Sequence, residues 1–449
     1  MTRADDANPS NTDSSNPSNI DPSNTNPTNV VSKHRTIVAG AAGNVIEWYD
    51  FSLYGYMAAV LAQLFFPHEN QLVSLIATYG VFAAGFIMRP LGGFVFGHIG
   101  DVIGRKHALV LSVLLMVVPT ILLGLLPTYD QWGVWAAVCL VLIRMLQGLS
   151  VGGEFSGSAT YLAETAPPGR RGFAASWANI GSMIGMLLGA ATPAVMLSLL
   201  STSDVNDWGW RVPFLFGGVL GVIALLLRRG LPEPEADDDD TTKRVGEHPI
   251  RSLVRDEPVA MTQAVIYAAG YGVLFYIAMV YLPTWLSIYT SIALHEALFI
   301  ATAAMLLQVV IIPIAGWVSD ALVKRKILLT GTFLVMAVIV APLYALAGQG
   351  AHWEALTVLL VFAAIVAIPL GVTPALMAET FDRRHRLTGY SLSFNLGFGI
   401  AGGTAPMVAT WLIHQSGNSL SPAYYLIGCA MVAAVTLLTM RDRSREPLR

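Results

Sequence analysis

"GHIGDVIGRK", residues 97–106, is answered further along by "GWVSDALVKR", residues 316–325, and this pairing decides the fold. Gly97 aligns with Gly316 and Asp101 with Asp320, an offset of 219 (316 − 97), and the basic pairs Arg105–Lys106 and Lys324–Arg325 coincide. A second echo, "YLAETAPPGRRG" from 161 and "LMAETFDRRHRLTG" from 376, sets Glu164 against Glu379 at an offset of 215 (379 − 164). Two echoes with nearly one offset imply a duplicated unit about half the chain long. Each echo is a charged island between apolar runs, so the unit is a set of apolar segments joined by short polar loops.

The apolar runs identify the solvent. Of 449 residues, 54% are hydrophobic and 12% charged, against roughly 25% charged in soluble domains, and the mean hydropathy is +0.59. A run of about 20 apolar residues suits a helix crossing a bilayer core, where the backbone must satisfy its own hydrogen bonds. Twelve spans are predicted: 36–64, 72–97, 107–126, 132–163, 172–198, 211–229, 259–286, 295–319, 327–347, 353–378, 388–414 and 422–440. The expected architecture is an all-α membrane protein with two pseudo-repeated six-helix bundles, 36–229 and 259–440. A linker at 230–258, containing "EADDDD", joins them. A polar tail at 1–35, rich in Asn, Ser and Pro, is expected to be disordered, and 441–449 forms a second tail. Loops on the terminal side hold 23 of the 26 Lys and Arg, all but Arg89, Arg144 and Arg211. Basic loops stay cytoplasmic, so both termini and the linker are expected there. Cys139 and Cys429 lie within apolar spans and suggest neither a disulfide framework nor a metal site.

Charge inside the spans is the next signal. "GNVIEWYDF", residues 43–51, carries Glu47 and Asp50, about 17 and 21 Å into the first span at 1.5 Å per residue. An acid at that depth costs roughly 2.5–3.5 kcal/mol on insertion scales and marks a functional site by default. At 100° per residue, Asn44, Glu47, Asp50, Phe51 and Tyr54 form one stripe. Arg144 in the fourth span and Arg89 in the second cannot deprotonate and must find an anion: Glu47, Asp50, Glu154 or a solute carboxylate. Glu154 lies about 80° round its helix from Arg144 and reads as structural. The second half offers aromatics instead, Tyr267, Tyr271, Phe275, Tyr276, Tyr281 and Trp285 in the seventh span, whose faces could hold a quaternary ammonium. The candidate proton-coupling residues are therefore Glu47 and Asp50. The candidate solute-binding residues are Glu47, Asp50, Tyr54, Arg89, Arg144, Tyr271 and Tyr276.

Several motifs together resemble the major facilitator superfamily: "GDVIGRK" after the second span and "RMLQGLSVGGE" at 144–154. "GNVIEWYDFSLYG", "RPLGGFVFG", "WGWRVPF" and "AETAPPGRRGFAASW" look like its metabolite:proton symporter branch. Within the branch, "RGFAASWANIGSMIGMLLGA" and "SPAYYLIG" are most similar to proline/betaine transporters, with citrate and α-ketoglutarate carriers close behind. The resemblance implies a gate of loop charges: Asp101 and Arg105 pairing with Glu164, and Asp320, Lys324 and Glu379 as second-half counterparts. Val323 stands where the first copy has Gly104. The long C-terminal coiled coil known in proline/betaine transporters has no counterpart in "RDRSREPLR", residues 441–449, so osmotic regulation by that device is not expected.

Enzymatic readings fail on context. "GLSVG" at 148–152 fits a nucleophile elbow and "GFGIAG" at 397–402 a dinucleotide fingerprint, but both need a strand before them and both fall inside spans. The expectation is a proton-coupled symporter in a bacterial inner membrane, importing a small zwitterionic or anionic metabolite. Proline or glycine betaine comes first and a citrate/α-ketoglutarate-type carboxylate second. A transport-dead solute sensor is the alternative of another class. The expected partners are the solute, a proton and the lipid bilayer. No cofactor, metal or nucleic acid is expected, and the monomer is the expected working unit.

Overall fold

The computed structural model describes residues 44–102, 105–150, 154–229 and 249–448. The 1–35 tail and most of the 230–258 linker fall outside them, as do the side chains of Asp101, Arg105 and Glu154. Among the described residues all regular structure is helical. Helix α1 covers 44–65, with a turn at Met57 between 44–56 and Ala58–Phe65. It is followed by α2 (Gln71–Val102), α3 (Arg105–Leu125) and α4, described as Val134–Ser150 and Glu154–Glu164. Then come α5 (Arg171–Leu199) and α6 (Arg211–Arg229). The later set is α7 (Pro258–Tyr289), α8 (Leu294–Ala321), α9 (Arg325–Ala347), α10 (His352–Thr380), α11 (Arg386–Ser416) and α12 (Ser421–Thr439).

Nine of these helices are individually long and apolar enough to cross a membrane. The other three have local reasons for falling short. α1 begins at the edge of the described residues, α3 offers the shorter apolar stretch Val110–Leu125, and Thr202–Gly209 leads into α6 at a 43° bend. Of the linker, residues 249–256 form a two-turn helix, Pro249–Asp256, which the composition did not predict. It is fixed because Leu253 is buried and Ser252 meets the His385 ring at 3.3 Å.

Glycine sets the closest helix crossings. A Cβ on Gly148 would stand 1.9 Å from the Gly85 carbonyl oxygen, so α2 and α4 touch backbone to backbone. Gly172 and Gly316 do the same for α5 and α8: a Cβ on either would fall about 2.5 Å from the other's carbonyl oxygen. Small residues of this kind let helices associate where lipid supplies no hydrophobic drive.

The early and late helices meet on both sides of the midplane. On the side bearing the C-terminal segment, α5 crosses α8, and Asn179 Nδ2 donates to the Leu370 carbonyl at 2.6 Å. Toward the other side, Tyr56 Oη donates to the Met279 carbonyl at 3.1 Å, and Gly80 faces the Met407 sulfur. Between these contacts, Trp48, Phe275, Tyr276 and Phe398 close the centre, none more than 4% exposed.

Candidate transport site

Two ion pairs hang from α1, and they differ in kind. Asp50 is fully buried. Its Oδ2 accepts from Arg144 Nη1 at 2.8 Å, and its Oδ1 accepts from Thr120 at 2.8 Å and Gln147 Nε2 at 2.9 Å. Arg144 also donates to Gln147 Oε1 at 2.9 Å and lies over the Tyr54 ring at 4.0 Å. Three helices, α1, α3 and α4, thus close a network around one buried pair. Such a pair holds only when further hydrogen bonds satisfy its remaining donors and acceptors. Gln147 and Thr120 were missed in the sequence. The signal for Gln147 was its place three residues after Arg144, on the same helix face.

Glu47 and Arg89 form the looser pair. Arg89 Nη2 stands 3.8 Å from Glu47 Oε1, beyond hydrogen-bond reach. The guanidinium lies against a wall of two rings, 4.4 Å from the Phe51 centroid and 4.2 Å from that of Phe86. Its Nε and Nη2 have no hydrogen-bond partner, nor do Trp48 Nε1 and the Tyr276 hydroxyl. Each orphaned buried donor costs about 1–3 kcal/mol, and native interiors hold few of them. Tyr276 lies within electrostatic reach of both Arg89 and Glu47. Phe398 ties this corner together, with ring centroids 6.2 Å from Trp48 and 5.5 Å from Tyr276.

The structure therefore brings Glu47, Asp50, Tyr54, Arg89, Arg144 and Tyr276 into one buried region contributed by α1, α2, α4 and α7. Tyr271 stands behind Phe398, 4.9 Å between ring centroids, in the aromatic layer. Two wider π-helical turns, Tyr276–Tyr281 in α7 and Asn395–Gly402 in α11, carry the second-half wall. Turns of this type often mark functional sites.

The loop charges form a second cluster on the side of the C-terminal segment. Asp320 accepts the Gly172 and Phe173 backbone N–H groups, both at 2.8 Å, and so caps the start of α5. Arg325 bridges Asp320 at 2.9 Å and Glu379 at 3.1 Å, and Arg171 reaches Glu379 at 2.8 Å. Here the expectation for Lys324 needs correcting, because Lys324 is exposed at the residue just before α9 while Arg325, one residue on, points inward. Glu164 pairs with Arg386 of α11; its expected contacts with Asp101 and Arg105 involve side chains outside the described residues. The segment after α12 lies across this cluster. Arg445 donates to the Asp320 carbonyl, and Glu446 accepts from Arg171 through its own carbonyl.

A membrane bundle with a buried charged centre and a ring of ion pairs at one end defines a multi-pass membrane transporter. The family model described as Major Facilitator Superfamily matches residues 41–293 and 275–449, and the chain belongs to that superfamily. It is 32% identical over 427 residues to the proline/betaine transporter of Escherichia coli K12, covering 92% of this chain and 85% of that protein. It is equally similar, at 32% over 425 residues, to the glycine betaine/proline/ectoine/pipecolic acid transporter of Dickeya dadantii, covering 92% and 84%. A putative proline/betaine transporter of Staphylococcus aureus is 33% identical, covering 90% and 87%. Among solved structures, a D-xylose–proton symporter superposes with a TM-score of 0.74 at 19% identity, covering 93% of this chain and all of that one.

Proposed function

We propose that this chain imports proline and glycine betaine together with protons into a bacterial cytoplasm. Both termini face inward across the inner membrane, and the monomer is the transporting unit. The curated relatives supply the solute class, and the lopsided basic loops supply the orientation. The observation that carries proton coupling is Asp50, a wholly buried acid held against Arg144 by side chains of two further helices. Protonating Asp50 would remove the charge that holds Arg144 and loosen α1 from α3 and α4. That gives the proton a handle on helix packing. Glu47, Arg89, Arg144, Tyr54, Tyr271 and Tyr276 surround the solute, and Asp101, Arg105, Glu164, Asp320 and Glu379 belong to the cytoplasmic gate, with Arg325 in place of Lys324 carrying the second-half contacts. Solute and proton then shift the balance between closed and open gates through their differing affinities for each.

Proteoliposomes with an imposed inward proton gradient test the reading. Labelled proline or betaine should accumulate, and the outside medium should turn alkaline as it does so. Citrate accumulating in their place would favour the carboxylate symporter. A sensor would accumulate nothing.

A further inference from the structure

We propose that a zwitterion inserts into the Glu47–Arg89 pair, its carboxylate docking on the Nε–Nη2 edge of Arg89 and its ammonium on Glu47. This assignment rests on the transporter reading above and deepens it. Arg144 is largely committed: its charge is matched by Asp50 at 2.8 Å, its Nη1 and Nη2 both donate, and only its Nε is without a hydrogen-bond partner. Arg89 is not. The two atoms that normally grip a carboxylate side by side, Nε and Nη2, are both buried and both unpartnered. Planar, two-pronged recognition of this kind is what an arginine offers and a lysine does not. The Trp48 indole N–H and the Tyr276 hydroxyl, also unpartnered, add polar groups from α1 and α7.

The charge arithmetic selects the class of solute. Glu47 stands 3.8 Å from Nη2, too far for a hydrogen bond and close enough to keep the pair neutral overall. A zwitterion entering between them replaces one opposite charge by another at each end, so neither Glu47 nor Arg89 is left uncompensated. A di- or tricarboxylate would push a second anion against Glu47, and a cation without a carboxylate would leave the Arg89 edge empty. The faces of Trp48, Phe275, Tyr276 and Phe398, linked by centroid distances from 5.1 to 6.2 Å, give a methylated ammonium an aromatic surface of the kind that attracts such cations. Arg89 from α2 and Tyr276 from α7 lie within electrostatic reach of Glu47.

The test uses purified full-length protein in nanodiscs and three probes of nearly one shape. Glycine betaine carries both charges, 3,3-dimethylbutyrate keeps the carboxylate but has carbon for nitrogen, and tetramethylammonium has no carboxylate. Wild type should bind betaine at least ~30-fold more tightly than either partial analogue, the range expected when one member of a buried charge pair is lost. In Glu47→Gln the preference for betaine over 3,3-dimethylbutyrate should shrink to below ~3-fold, since the group that reads the ammonium is gone. Arg89→Lys, which keeps the charge, should weaken betaine at least ~10-fold and leave tetramethylammonium unchanged. A merely structural role for Glu47 would weaken both ligands alike and leave their ratio intact, and that result overturns the assignment. If Glu47→Gln does not fold, undiminished betaine binding by Arg89→Lys overturns it instead. Wild type that transports betaine while failing these ratios rejects the subsite alone. Wild type that neither binds nor transports betaine or proline rejects the transporter reading with it.

Discussion

Asp50 and Glu47 sit one helical turn apart and both face an arginine, yet only Asp50 is tied to its arginine by a direct hydrogen bond. Removing one member of a buried pair leaves an uncompensated charge and costs about 3–5 kcal/mol, whereas removing both together is often nearly neutral. Asp50→Asn is therefore expected to lower thermal stability in detergent, toward about 3 kcal/mol because Asn can keep the hydrogen bonds from Thr120 and Gln147. The double variant Asp50→Asn/Arg144→Gln should recover most of that loss. Unfolding followed by circular dichroism reads the cycle, and additive losses would mean the pair is not coupled. In proteoliposomes, Asp50→Asn should also abolish gradient-driven accumulation while solute exchange continues, and undiminished accumulation would remove Asp50 from proton coupling. Much of this was legible in the sequence, because an ionisable side chain stands out against twenty apolar neighbours. What was not legible is which acid meets which arginine. Helical spacing gives the face of α1, but the pairing of Asp50 with Arg144 and of Glu47 with Arg89 depends on how α2 and α4 are seated.

At the scale of the element, the duplicated loop motif does something that its charges alone do not announce. Asp320 of the second copy caps α5 of the first set, where two backbone N–H groups and the positive end of the helix favour a carboxylate. Gly172 and Gly316 permit this by letting α5 and α8 touch. Charge-assisted bonds of this sort are worth about 1.5–3 kcal/mol each. If this cluster is the gate proposed above, Asp320→Asn should shift it toward opening by a factor of roughly ten or more. A Ser176→Cys reporter, placed at a buried position of α5, should be labelled correspondingly faster from the cytoplasmic side. Unchanged labelling would show that the cap does not hold the gate. Sequence reading found Asp320 and Glu379 by their repeat but chose Lys324 over Arg325, since the repeat aligns two basic residues and only the entry into α9 decides which turns inward. The π-helical turns were also hidden. Asn395–Gly402 carries no charge and no proline to announce a change of helix type, and α7 approaches it closely, since a Cβ on Gly397 would stand 2.4 Å from the Val265 carbonyl oxygen.

For the molecule as a whole, the segment following α12 joins both sets of helices across the closed end of the bundle, the face proposed above to be cytoplasmic. Lys326 of α9 holds its start, with Nζ donating to the Leu438 and Met440 carbonyls at 2.6 and 2.9 Å and the backbone N–H donating to Asp442 at 2.9 Å. Further along, Arg445 grips the Asp320 carbonyl of α8 while Arg171 of α5 grips the Glu446 carbonyl. Opening this face must pull α5 from α8, so it must also break one of those last two contacts. Truncation after Met440 should therefore speed labelling of the Ser176→Cys reporter, by less than Asp320→Asn does, because the partly exposed strap contacts are worth less than the buried cap. Helix content should not change, since the strap adds nothing to the bundle core. Asp442 adds a pH signature. Partial burial pushes its pKa up, but hydrogen bonds from Ser444 and the Lys326 N–H, with Arg325 nearby, outweigh this and hold it below the usual carboxylate value. A lowered folded pKa stabilises the attachment above the unfolded value of about 3.9 and loses that stabilisation as pH falls through the folded one. Full-length protein should accordingly keep its slow labelling down to about pH 4 and approach the truncated form below it. Equal labelling of the two forms at neutral pH would mean that the segment rests on the gate without restraining it.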